Sequence, residues 1–170
     1  VLALLSGCGS GEIEESGDPL AALPNGMTVC DLFPEEEAAR YLGASDVGRF
    51  HTDEPECEYH AGEDGPVVSL EYADTADQTA ESQELGAWAW ALYAFRTDPE
   101  GGPDRSATRI DGLGDRAFAV ERVEGGLPSV AVVWQNDGVL LVLTSSVQTD
   151  AQETLERATA LSKTVDAKLD

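Results

Sequence analysis

Val139-Leu140-Leu141-Val142-Leu143, reached through Asn136-Asp137-Gly138 from Ser129-Val130-Ala131-Val132-Val133-Trp134-Gln135, is the stretch that decides the fold. Asn, Asp and Gly accept the positive φ of a tight hairpin turn at little cost, so this tripeptide between two β-branched runs predicts an antiparallel hairpin. The run 139–143 is apolar at every position. A strand wetted on one side would alternate, so this one is predicted to lie centrally in a sheet covered on both faces.

Upstream, Phe118 and Val120 alternate through Arg116 to Arg122, after the turn-forming Asp111-Gly112-Leu113-Gly114-Asp115 and a short strand predicted over Ala107–Ile110. Earlier still, Glu56 to His60 alternates. Cys57 and Tyr59 face one way, and Glu56, Glu58 and His60 the other. Val67 to Tyr72 sets Val68, Leu70 and Tyr72 on one face, and Gly62-Glu63-Asp64-Gly65-Pro66 turns between these two strands to make a second antiparallel hairpin.

Helices flank this pattern. Pro34 suits a first helical position, Glu35, Glu36 and Glu37 favour the positive end of the helix dipole, and Gly43 suits the stop. Phe33 stands where a capping residue belongs. Asp77 to Arg96 is predicted to be the longest helix, with a core stripe of Leu85, Trp88, Leu92 and Phe95. Asp150 with Glu153 resembles a capping box and opens a C-terminal amphipathic helix carrying Leu155, Ala158, Leu161, Val165 and Leu169. The expectation is an α+β fold: a mainly antiparallel sheet of about five to seven strands, close to the usual sheet size, with two to three helices packed on it.

Trp90 and Tyr93 lie about half a turn from the core stripe of their helix. Two occupants suit them. Either the segment from Asp98 to Thr108 folds back over them, or they form a partner-binding patch of the amphipathic aromatic kind that dominates many interfaces.

The chain has 170 residues with 42% hydrophobic side chains, enough for a real core, and no run approaches the length needed to cross a bilayer. Its 33 acids against 10 bases give a net charge of −23, which excludes nucleic acid as a partner. Such a surface favours solubility and can attract cations, basic peptides or basic proteins.

Leu4-Leu5-Ser6-Gly7-Cys8 has the apolar run, small residues and terminal thiol that lipoprotein processing requires. Residues 1–7 are read as the remnant of a signal peptide. Residues 8–27, rich in Gly, Ser, Pro and acids, form a tether able to hold a domain at 28–170 about 20–25 Å from the membrane. The membrane is then touched through lipid on Cys8, on the outer face of the cytoplasmic membrane. With Cys8 acylated, Cys30 and Cys57 remain in an oxidising compartment, and a disulfide between them is the expectation.

Chemistry is sparse. The histidines are His51 and His60, and no Gly-x-Ser-x-Gly elbow exists. Cys57-Glu58-Tyr59-His60 has the Cys-x-x-His form of a zinc half-site, to be completed by Cys30 and His51. On a strand, however, Cys57 and His60 project to opposite faces. Asp111 to Asp115 lacks the Lys and Ser/Thr of a phosphate loop and the spacing of a calcium loop. No catalytic residue, metal or cofactor is expected.

Leu5-Ser6-Gly7-Cys8, the acidic tether, Cys30-Asp31-Leu32-Phe33-Pro34-Glu35 with Leu42-Gly43, Cys57-Glu58-Tyr59 and Gly112-Leu113-Gly114-Asp115-Arg116-Ala117-Phe118 together resemble a family of actinobacterial cell-envelope lipoproteins classed as a domain of unknown function. Here Phe33 stands where that family has Thr, and Tyr59 where it has Trp. The resemblance implies export, a lipid anchor and a small α/β domain, and no activity. The functional expectation is a non-enzymatic envelope lipoprotein that binds a protein, peptide or small ligand. The alternatives are a structural lipoprotein with no ligand site, or a hydrolase or metal-dependent enzyme using His51 or His60.

Overall fold

The computed structural model describes residues 23–51, 56–72, 108–124, 127–146 and 150–169. Cys8 and most of the tether, and the helix expected over Asp77–Arg96 with Trp90 and Tyr93, lie outside the described residues.

Seven strands form one sheet: β1 (Gly48–His51), β2 (Glu56–His60), β3 (Val67–Tyr72), β4 (Thr108–Arg109), β5 (Arg116–Glu124), β6 (Leu127–Asn136) and β7 (Val139–Ser146). Their order is β1-β2-β3-β7-β6-β5-β4, and every neighbouring pair is antiparallel. Among the described residues three α-helices accompany them: α1 (Val29–Leu32), α2 (Glu35–Leu42) and α3 (Ala151–Asp166). The fold is α+β.

β7 is the middle strand, and all five residues from Val139 to Leu143 are buried. Its hairpin with β6 turns on two residues, since Asn136 still pairs with Val139. Asp137 (φ 46°) and Gly138 (φ 83°) both adopt positive φ, as a primed hairpin turn demands. The Asp137 amide donates to Asp115 Oδ2 at 2.9 Å, which holds this turn against the one before β5. In β5 the expected alternation gives way. Ala117 and Ala119 are as buried as Phe118 and Val120, because this strand too is covered on both faces.

The first face of the sheet carries the helices. Cys57, Tyr59, Val68, Leu70, Val132, Trp134, Leu141 and Leu143 pack there with Val29 and Leu32 of α1, Ala38, Tyr41 and Leu42 of α2, and Ala158 and Val165 of α3. On α3 the most buried positions are Thr154, Ala158, Ser162 and Val165, while Leu155 and Leu161 pack at the margins. Small side chains let the helix axis approach the sheet closely. Their hydroxyls stay paired within the helix, Thr154 Oγ1 donating to Asp150 O (2.8 Å) and Ser162 Oγ to Ala158 O (2.9 Å). Past its end, Lys168 Nζ donates to Leu32 O and Glu37 Oε1, both at 2.8 Å, and so ties the chain end to α1 and α2.

The N-terminal helices start in two ways. Pro34 lies just outside α2 rather than in its first turn, and no side chain caps that helix. Three glutamates in its first turn compensate through the dipole, and Gly43 at φ 66° ends it. α1, by contrast, has a full capping box: Asp31 N donates to Thr28 Oγ1 (3.2 Å), and Thr28 N donates to Asp31 Oδ2 (2.8 Å). The Thr28 amide, then its hydroxyl, hold the Asp31 carboxyl below its ordinary value of 3.8. The stabilisation is therefore complete above pH 3.8 and is lost as the pH falls through the lower, folded-state value. In an NMR titration of the side-chain carboxyl, Asp31 should titrate below 3.8, and Thr28→Val should move it back up. An unshifted midpoint in the unsubstituted chain would contradict the capping box.

The Cys30–Cys57 disulfide links α1 to β2 with Cα atoms 5.3 Å apart. Beside it Tyr59 Oη donates to Phe33 O at 2.9 Å, and the Phe33 and Tyr59 rings meet edge to face at 5.4 Å. Tyr59 thus closes the chain between α1 and α2 onto the sheet.

Candidate functional site

The second face of the sheet divides into two halves by composition. On β5, β6 and β7 it presents Phe118, Val120, Ala131, Val133, Leu140 and Val142, none more than 4% exposed. On β2 and β3 the alternation seen in the sequence brings Glu56, Glu58 and His60 alongside Val67, Ser69 and Glu71. Burying Cys57 and Tyr59 against the helices forces their neighbours onto this side.

Between the two halves lies a cavity of about 200 Å³, lined by Glu56, Glu58, Glu71, Ser69, Ser129 and Thr144, with Val67, Pro128 and Ser146 at its sides. Strand register builds it. Glu56 stands directly opposite Glu71, and Glu58 opposite Ser69, which faces Thr144 in turn. Ser129 faces Ser146 across the β6–β7 ladder. Ser146 Oγ has a structural task, accepting from Val67 N (2.9 Å) and donating to Val67 O (3.3 Å), which continues the β3–β7 pairing past its last backbone bond.

Two hydroxyls are left over. Ser129 is only 6% exposed, and neither its Oγ nor Thr144 Oγ1 has a hydrogen-bond partner. A buried hydroxyl without a partner costs on the order of 1–3 kcal/mol, so such a pair on a cavity wall is unusual. It also means that neither oxygen, as placed, has a base positioned to take its proton, which nucleophilic chemistry would need.

His60 lies two residues beyond Glu58 on the same face, with its Nε2–H donating to Glu58 Oε1 at 2.6 Å. It shares no side of the sheet with Cys57, and the disulfide occupies both sulfurs, so the Cys-x-x-His spacing builds no zinc site. His51 belongs to β1. Among the described residues no group of three His, Cys, Asp or Glu converges on a metal position. The turn 111–115 has a structural role. Gly114, at φ 51°, sits so close to Gln135 O that a Cβ would meet it at 2.3 Å, and its amide donates to Asp166 Oδ2.

The cavity residues were missed by reading the chain element by element. Their one sequence signal is the polar side of the 56–60 strand, where three titratable groups stand in the alternate positions of a strand whose other side is apolar.

No family model matches the sequence, and no curated protein matches it. A solved structure from Bacteroides thetaiotaomicron VPI-5482 is similar at 12% identity and a TM-score of 0.38, over 67% of this chain. The chain spans 40% of the length of that protein.

Proposed function

We propose that this chain is a non-enzymatic binding module of the cell envelope, a lipoprotein of the actinobacterial type held on the outer face of the cytoplasmic membrane by lipid on Cys8. The observation that carries this reading is the Cys30–Cys57 bond. Structural disulfides belong to oxidising compartments, and this one uses both cysteines downstream of Cys8, which leaves Cys8 as the thiol to be acylated. The binding role draws its support from the cavity on the second face. Carboxylates and hydroxyls line it without an evident activated nucleophile.

Metabolic labelling with an alkyne analogue of palmitate tests the anchor. Label is expected on the wild-type precursor expressed in an actinobacterial host and absent from Cys8→Ala. A free thiol at Cys8 on the mature protein would overturn the localisation.

A further inference from the structure

We infer that the apolar half of the second face is the seat of this chain's own segment 73–107, which lies across it through the stripe Leu85, Trp88, Leu92 and Phe95. The inference goes beyond the binding reading, which leaves that half of the face without a task. Phe118, Val120, Ala131, Val133, Leu140 and Val142 are each at most 4% exposed, so other atoms lie over them. The buried residues of α1, α2 and α3 share one cluster with the first face, and none of these six belongs to it. Their burial is that of a single chain, so the occupant is a part of the same chain.

Strand order selects that part. β3 and β4 are separated by β7, β6 and β5, and with every neighbouring pair antiparallel they run parallel to each other. The chain leaves β3 at Tyr72 and enters β4 at Thr108. It must return the length of a strand and cross about 19 Å at the usual strand spacing, and such a crossover runs over one face of the sheet. The first face is taken by the helices. Handedness selects the same side. Ala117 points to the first face, and its carbonyl accepts from the Ile110 amide on the β4 side at 3.0 Å. In an L-residue that pairing fixes the sense of the sheet: seen from the second face with β3 running upward, β4 lies to the right. A crossover in front of that view is right-handed, as nearly all such connections are.

The sequence supplies the matching surface. A helix over Asp77–Arg96 is about 30 Å long, enough for the passage, and sets Leu85, Trp88, Leu92 and Phe95 along one side. Opposite them Val120, Ala131, Val133 and Val142 are small, which leaves room for two large rings. Residues 1–22 are the other long stretch outside the described residues. They lead toward α1 on the first face, and from Gly9 onward they are rich in Gly and acids, so they offer no such stripe. Trp90 and Tyr93, half a turn round, fall on the side of the helix away from the sheet.

The test is nuclear Overhauser contacts in the full chain with ¹³C-labelled Val and Leu methyl groups. The expected result is contacts from the Trp88 and Phe95 ring protons to methyls of Val133, Leu140 or Val142, and none to Val132 or Leu141 of the first face. Contacts to Val132 or Leu141, or contacts to neither face, would overturn the inference. So would contacts that arise only between differently labelled molecules in a mixed sample, which would make a second copy the occupant. Thermal melts test the stripe. Trp88→Ala is expected to lower Tm by about 10 °C or more, as truncation of a buried aromatic residue does, and Trp90→Ala by a few degrees at most. Equal losses, or a larger loss for Trp90→Ala, would overturn the assignment of that stripe to the sheet. The contacts are read on the unsubstituted chain, so a Trp88→Ala variant that fails to fold counts as the expected large loss and leaves the test of the face intact.

Discussion

Trp134→Ala is expected to lower the unfolding free energy by about 3–5 kcal/mol, as truncation of a fully buried aromatic residue does. Trp134 has no exposed surface, and it sits on β6 between Ala117 of β5 and Leu141 of β7. Its Nε1–H donates to Asp166 Oδ1 at 3.0 Å. The same carboxylate accepts from Asn136 Nδ2 (3.0 Å) and, through Oδ2, from the Gly114 amide (3.1 Å). One acid therefore joins the β6–β7 hairpin, the turn before β5 and the end of α3. A carboxylate at a helix C-terminus opposes the dipole, so Asp166 is tolerated there because three donors meet it. Asp166→Ala should cost about 1–3 kcal/mol, chiefly by leaving the Trp134 N–H buried and unpaired. Trp134→Phe in the Asp166→Ala background should then be milder than the sum of the two single changes. Urea unfolding of the four variants checks this. Strict additivity would show that the indole and the carboxylate act independently.

Removing the disulfide should have an effect of similar size. A loop of 27 residues gives about 3.5 kcal/mol in the chain-entropy model. For a domain of this size that corresponds to a fall in Tm of roughly 10 °C for Cys30→Ser with Cys57→Ser. Unfolding need not follow at room temperature, because the Tyr59–Phe33 hydrogen bond and ring contact still join the same two segments and the edge-to-face pair contributes about 0.5–1.5 kcal/mol beyond its burial. Cys57 is fully buried and Cys30 partly exposed, so on the folded protein reductant reaches the bond only from the Cys30 side, and reduction should speed up once the protein is partly unfolded. Calorimetry with and without dithiothreitol measures both. An unchanged Tm in the double variant would show that the cross-link does not constrain the unfolded chain.

Where the sequence was legible, the signal was local. Asp137-Gly138 forms the β6–β7 turn because few residues accept positive φ twice in succession. Val139 to Leu143 reads as a central strand because an unbroken apolar run has no face to give to water. Asp150 caps α3 through the Glu153 amide, as its spacing implies, although the reciprocal half of a capping box is not formed. The Thr28-x-x-Asp31 pattern is the same kind of signal, but it was not read from the sequence, and only the structure shows that it starts α1. The α3 stripe was legible only in outline. Its leucines lie at the margin and its Thr and Ser at the centre, because helix-to-sheet distance selects small side chains where hydropathy would select large ones.

Although α1 and β1 were not read from it, the sequence by itself thus determined β2 to β7, α2 and α3, the central strand, the hairpin turns, the pairing of Cys30 with Cys57 and the polar side of β2. Each is set by a residue's own backbone preference, by side-chain period or by cysteine number. Only the tertiary structure decided that the chain re-enters the sheet at its far edge after β3, so that β3 lies beside β7. Backbone N–H and C=O groups are the same at every residue, so a pairing between distant strands leaves no mark in one chain. The cavity follows from that pairing. Glu56, Glu58, Glu71 and Ser69 come from one hairpin, and Ser129 and Thr144 from another. They become one site because the β3–β7 register sets Ser69 beside Thr144, which joins the polar face of the first hairpin to the hydroxyls of the second.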